Sequence, residues 1–181
     1  MKRQHDGVAR DGVRSPRPPA GRRAFTLIEV AVATAIIGLG VVALLVAVAS
    51  GTRTNDAGKR LTQALYLAQE IREWTIRLPF SDPDPGDQNN PPGPDGTDPQ
   101  LFVDDLDDLM NVTYSPPRDG RGGAIADMVD WSETITLTWR DPASLTTVVA
   151  AGSSDVIHVQ VDIAQQARPM LSTGWLVARR E

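Results

Sequence analysis

From Val30 to Thr52 the chain runs 23 residues without a charged side chain, and at a rise of about 1.5 Å per residue such a helix crosses the hydrocarbon core of a bilayer. The run is apolar on all sides, and Ala31, Ala33, Ala35, Gly38, Gly40, Ala43 and Ala47 supply the small positions that allow close helix approach. A lone anchor in lipid does not need so many, so packing against sister helices is expected. Over residues 53–78 the pattern turns amphipathic. Ala57, Leu61, Ala64, Leu65, Ala68, Ile71, Trp74 and Leu78 recur at steps of three and four, a stripe that predicts a docking face. Lys59, Gln63, Glu70, Glu73 and Arg77 fall opposite, facing solvent, and Arg60 and Arg72 flank the stripe. No Pro interrupts the stretch until Pro79. One continuous helix about 75 Å long is therefore predicted, with Pro79 ending it.

The pattern then changes. Residues 81–100 are too rich in Pro, Gly and Asp for helix or strand and read as a long loop. Residues 101–110 fit a short helical turn with Leu106 and Leu109 inward, and residues 114–123 read as loop. Strict alternation follows over 133–140, with Ile135, Leu137 and Trp139 opposed to Thr134, Thr136 and Thr138. It recurs over 156–163, with Ile157, Val159, Val161 and Ile163 opposed to His158, Gln160 and Asp162. Both are half-buried strands by period and β-branched content. Asp141-Pro142 starts a turn, residues 145–150 are a candidate strand, and residues 170–178 a final one. The helix stripe and the strand faces each need a cover. The simplest architecture is α+β, with the long N-terminal helix laid across a C-terminal antiparallel sheet.

Ahead of the apolar run stand Arg22-Arg23-Ala24 and then Phe25-Thr26-Leu27-Ile28-Glu29. Glu29 is a carboxylate one turn inside the run, costly in lipid, and marks a function. At these residues the chain resembles the superfamily of type IV pilins and type II secretion pseudopilins, whose signal joins a basic leader and a small residue to Phe-Thr-Leu-Ile-Glu. The resemblance covers roughly the first third of the chain. It implies that a prepilin peptidase and N-methyltransferase cuts between Ala24 and Phe25 and methylates the new amine of Phe25. It also implies that Glu29, then fifth, acts in assembly with other pilin or pseudopilin subunits on an inner-membrane platform. Ala24 stands where the family usually has Gly; cutting after Gly21 would leave Arg22-Arg23 at the new terminus and move Glu29 to eighth place. Fibre-forming members commonly carry a Pro midway along the helix, and this chain has only Gly38 and Gly40 there. That points to a pseudopilin.

Charge sharpens this picture. Residues 1–24 hold seven Lys or Arg and two Asp, so eleven basic and twenty-one acidic side chains remain after the cut, a formal net charge of −10. An acidic domain is a poor nucleic-acid surface, so no nucleic-acid partner is expected. The basic flank places the N-terminus in the cytoplasm by the positive-inside rule and the C-terminal domain in the periplasm or outside the cell. The localisation expected is a single pass through the inner membrane. An ordinary secretory signal would have a core of about 7–15 residues with its cleavage site after it; here the core is longer and the small residue precedes it. An uncleaved signal anchor is the other alternative.

The expected division is a cleaved leader over 1–24, an assembly helix over 25–52, its amphipathic half over 53–79, a loop region over 80–130 and the sheet over 131–181. There is no cysteine, hence no disulfide, thiol nucleophile or Cys-based metal site. Asp82, Asp84, Asp87 and the run Asp104 to Asp108 admit either a calcium loop or a solvated acidic face, without an EF-hand register. His158, on the polar face of its strand, reads as a surface residue, and Trp131, Trp139 and Trp175 as packing. No catalytic motif, cofactor site or metal site is identified, and the chain reads as a non-enzyme. The leading function is a minor pseudopilin of type II secretion. The alternatives are a minor type IV pilin serving adhesion, motility or DNA uptake, and a membrane-anchored periplasmic binding domain or hydrolase.

Overall fold

The computed structural model describes residues 25–82, 91–94 and 98–180. The chain divides into two compact units, residues 1–49 and 50–181. Helix α1, Leu27–Arg77, runs unbroken, as its lack of Pro predicts, and ends two residues before Pro79. A five-stranded antiparallel sheet follows: β1 Val112–Tyr114, β2 Trp131–Asp141, β3 Ser144–Val148, β4 Val156–Gln165 and β5 Arg168–Ala178. Strand order is β1-β2-β4-β5, with β3 also paired to β2. The fold is α+β, one long N-terminal helix packed with an antiparallel sheet.

In the first unit every described residue of α1 is exposed, Leu39 to 73%. A Cβ added at Gly38 or Gly40 would meet nothing within 4 Å. Among the described residues, small size at these positions therefore makes room for no neighbour.

In the second unit Ala64, Leu67, Ala68, Ile71, Trp74 and Thr75 of α1 are buried. They join one core with Val112, Tyr114, Trp131, Ile135, Leu137, Trp139, Ile157, Val159, Val161 and Ile163. The alternation expected of β2 and β4 is thus the alternation observed. The helix stripe is corrected, however. Ala57, Leu61 and Leu65 are exposed, the last two to 45% and 53%, while Leu67 and Thr75 are inside. The buried set 64, 67, 68, 71, 74, 75 is a narrower face rotated off the expected one, and it begins only where the sheet reaches the helix. Glu70 is half-buried instead of facing solvent, while Arg77 is exposed as expected. Glu70 Oε2 accepts the Gly120 N–H at 2.6 Å, and Arg77 Nη1 donates to the Gly120 carbonyl at 3.2 Å. The loop carrying Gly120 lies so close to α1 that a Cβ at Gly122, where φ is +78°, would come within 2.7 Å of the Trp74 ring.

Residues 112–114, which lack any long alternation, form β1, so the sheet begins inside the stretch expected to be loop. The turn expected near Leu106 is a 3-10 turn, Asp107–Leu109, with Leu106 and Leu109 fully buried. Asp105 Oδ1 accepts the N–H groups of Asp107 and Asp108 and so caps it. Burial pushes the Asp105 carboxyl up to about 8. The period of β2 also carries Glu133 inward among Trp131, Ile135 and Leu137. Its Oε1 accepts the Arg118 N–H at 2.7 Å, tying the 115–125 loop to the sheet. Burial raises its carboxyl to about 8, against the opposing pull of that hydrogen bond and of the Arg118 charge.

Two predictions follow from these placements. Leu67→Ala, which removes a fully buried side chain, costs about 2–5 kcal/mol of unfolding free energy, whereas Leu65→Ala changes it by less than about 0.5 kcal/mol. Denaturant titration of both variants decides between the observed face and the wider stripe, since equal losses would restore the latter. Glu133 binds its proton more tightly folded than unfolded. Its contribution is therefore fully present below about pH 4.5, the ordinary carboxyl value, and is lost as pH rises towards about 8. In Glu133→Gln the Oε1 acceptor is kept and the titration removed. The thermal midpoint of the variant minus that of the wild type should grow from pH 5 to pH 8; a difference independent of pH would contradict the assignment.

Candidate processing and assembly site

Ala24 lies outside the described residues. Phe25 and Thr26 precede the first helical residue, Leu27, and Phe25 is 78% exposed. The helix starts here for a local reason. The Glu29 N–H reaches both the carbonyl and the Oγ1 of Thr26, at 3.0 and 3.3 Å, and the Val30 N–H reaches the same carbonyl at 3.2 Å. Thr26 thus caps the helix, with an acidic residue three positions on, in the spacing of a capping box. Sequence reasoning overlooked this although the signal, Thr-x-x-Glu before an apolar run, is plain in residues 26–29. Glu29 also lies in the first turn, where a negative charge is favoured by the partial positive charge of the free N–H groups. The helix start therefore gives Glu29 a role within its own chain, beside any role towards another.

Beyond Glu29 the helix offers no polar side chain for several turns except Thr34, whose hydroxyl bonds back to the Val30 carbonyl at 2.8 Å. Among the described residues α1 is the one helix long and apolar enough to cross a membrane, and none of that window is buried within the chain. A capped helix start with one carboxylate and an uncovered apolar helix are what a subunit packed by its helix in a membrane requires. Residues 19–49 match the family model of the prokaryotic N-terminal methylation motif. The chain carries a type IV pilin and pseudopilin signal. No curated protein and no solved structure matches it. The pilin-type signal is the substrate of prepilin peptidase and implies assembly with other pilin-type subunits, and the apolar helix behind it fits membrane anchoring.

The other candidates sit elsewhere. Among the described residues no group of three or more His, Asp or Glu is arranged to hold a metal; Asp84 and Asp87 lie outside them. Asp105 and Asp108 are buried rather than on a solvated face. His158 is half-buried and diagonal to Gly174, whose missing side chain leaves room for the imidazole; burial and the nearby Arg140 charge lower its pKa. Trp131 and Trp139 are core, and the Trp175 indole N–H donates to Thr75 Oγ1 at 3.2 Å, tying β5 to α1.

Loss of a Thr cap costs about 1 kcal/mol, about a fivefold change in an opening equilibrium. Thr26→Ala should raise amide exchange at Glu29 and Val30 about fivefold in the full chain in micelles, leaving amides beyond Thr34 unchanged. Identical exchange in the variant would remove Thr26 from the role of cap.

Proposed function

We propose that this chain is a structural subunit of a pilus-like assembly and, within that class, a minor pseudopilin of type II secretion. The observation that carries the reading is the methylation motif at residues 19–49 at the head of a helix that continues into an α+β domain. The absence of Pro from Leu27 to Arg77 and of any Cys favours a pseudopilin over a fibre-forming pilin. The basic flank keeps residues 1–24 on the cytoplasmic face of the inner membrane. A prepilin peptidase removes them after Ala24 and methylates Phe25. The C-terminal domain lies on the far side.

Glu29 then sets the register of assembly. A carboxylate buried alone in lipid is costly, as is an amine at the membrane edge. Pairing the Glu29 carboxylate of an incoming subunit with the Phe25 amine of one already assembled offsets both costs and fixes the axial step between helices.

The experiment co-expresses the chain with a prepilin peptidase. The precursor should lose about 2–3 kDa, as expected for a leader of this length, and the mature chain should begin at Phe25; any other N-terminus overturns the site. Glu29→Gln retains a side chain suited to the capping box but removes the charge. It should still insert and be cleaved, while crosslinking to sister subunits falls at least tenfold. Full crosslinking in a correctly cleaved Glu29→Gln chain would leave Glu29 only its part in starting the helix.

A further inference from the structure

The two edges of the sheet are treated differently. On the β2 side most of the edge meets cover: β1 pairs with residues 133–135, β3 with Arg140 and Asp141, the Val149 N–H reaches the Trp139 carbonyl at 3.0 Å, and Ser115 Oγ the Trp131 carbonyl at 3.3 Å. On the other side β5 is the last strand, eleven residues long. The Arg179 N–H bonds the Asp155 carbonyl at 2.9 Å, one step beyond the pair Val156 and Ala178. In an antiparallel ladder, bonded and non-bonded pairs alternate. Thr173, Trp175 and Val177 therefore turn their backbone groups towards β4, while Ser172, Gly174, Leu176 and Ala178 turn theirs away. Among the described residues nothing pairs with those four.

Open edges of this length are usually blunted by an inward charge, a bulge or a Pro in mid-strand. From Met170 to Ala178 there is no charged residue and no Pro, and the irregularity in the ladder lies at its far end, by Ile163 and Ala164. Trp175, held to Thr75 of α1, keeps the edge in place. At its C-terminal end a groove of about 300 Å³ is lined by Ile76, Leu78, Phe80, Val177 and Ala178 together with Pro79, Arg77 and Arg180, a mixed surface with positive charge at its rim.

We infer that the β5 edge is a strand-addition surface for an extended segment of another protein, uncharged at its centre and acidic at its ends. The backbone groups require an extended chain, since only a strand satisfies them in register. The ends of β5 choose its charge: Arg168 stands at one and Arg180 at the other, on a chain that is otherwise strongly acidic, while the neighbouring Arg179 is already paired with Asp155 at 2.8 Å and stacked on Phe80. A second copy paired in register through β5 brings arginine against arginine at both ends, whether parallel or antiparallel, which is unfavourable. The inference rests on the sheet alone and stands apart from the role proposed for Glu29.

The test uses the full chain in detergent micelles and a synthetic ten-residue peptide of alternating Thr and Val with Glu at both ends. Binding should slow amide exchange at Ser172, Gly174, Leu176 and Ala178 at least tenfold, with Thr173, Trp175 and Val177 already slow in the free chain. The same peptide ended with Lys should give less than a third of the effect. Leu176→Pro removes an outward amide without touching the β4 ladder, and Leu176→Lys places a charge on the edge; each should abolish protection. No slowing by the Glu-ended peptide in folded wild-type chain, or equal slowing by the Lys-ended one, overturns the inference. Protection that rises with chain concentration in the absence of peptide also overturns it, by naming a second copy as the occupant.

Discussion

The C-terminal unit depends on two surfaces that each need the other. A sheet with one apolar face and a helix with one apolar stripe are unstable apart in water, and each is the other's cover. Here the cover is made by Leu67, Ile71 and Trp74 against the inward residues of β2 and β4, all buried. Trp74 also meets Tyr114 with ring centroids 5.8 Å apart, so the short β1 is drawn into the same contact. The remaining features follow from it. Glu133 is inside because the period of β2 leaves it no other side, and it remains there as the acceptor that holds the 115–125 loop. That loop in turn closes on the helix through Gly120, bonded to Glu70, and through Gly122, where a Cβ would clash with Trp74.

The opposite condition governs the N-terminal unit. Its apolar surface is complete around the helix, and nothing among the described residues covers it. Such a surface is stable only in lipid or against other helices, which is the demand a pilin-type signal answers. Chemistry at the start of this helix is correspondingly sparse. Thr26 satisfies free N–H groups and Glu29 complements the helix terminus, and the proposed pairing between subunits would use the same carboxylate without dismantling the cap.

Charge separates the parts in a similar way. The basic residues are concentrated before the helix, whereas carboxylates dominate the rest. Several of these are structural: Asp105 caps the 3-10 turn, and Glu70 accepts from Gly120. The acidic composition is therefore partly a set of internal hydrogen-bond acceptors and only partly a solvated surface.

What was legible from the sequence was local in origin. An uninterrupted apolar run, the break at Pro79, the alternation of β2 and β4, and the motif around Phe25 and Glu29 are properties of neighbouring residues, and periodicity reports them directly. The capping role of Thr26 belonged to the same class and was legible, although overlooked. Tertiary structure alone decided the rest. Leu61 and Leu65 have the same apolar character as Leu67, yet only Leu67 lies where the sheet reaches the helix. A three-residue strand such as β1 has no period to read; it exists because β2 presents backbone groups to it. The open edge of β5 is likewise a fact of strand order rather than of composition. Which apolar residues are covered, and which backbone groups are left without a partner, depend on contacts between residues far apart in the chain, and these no local pattern contains.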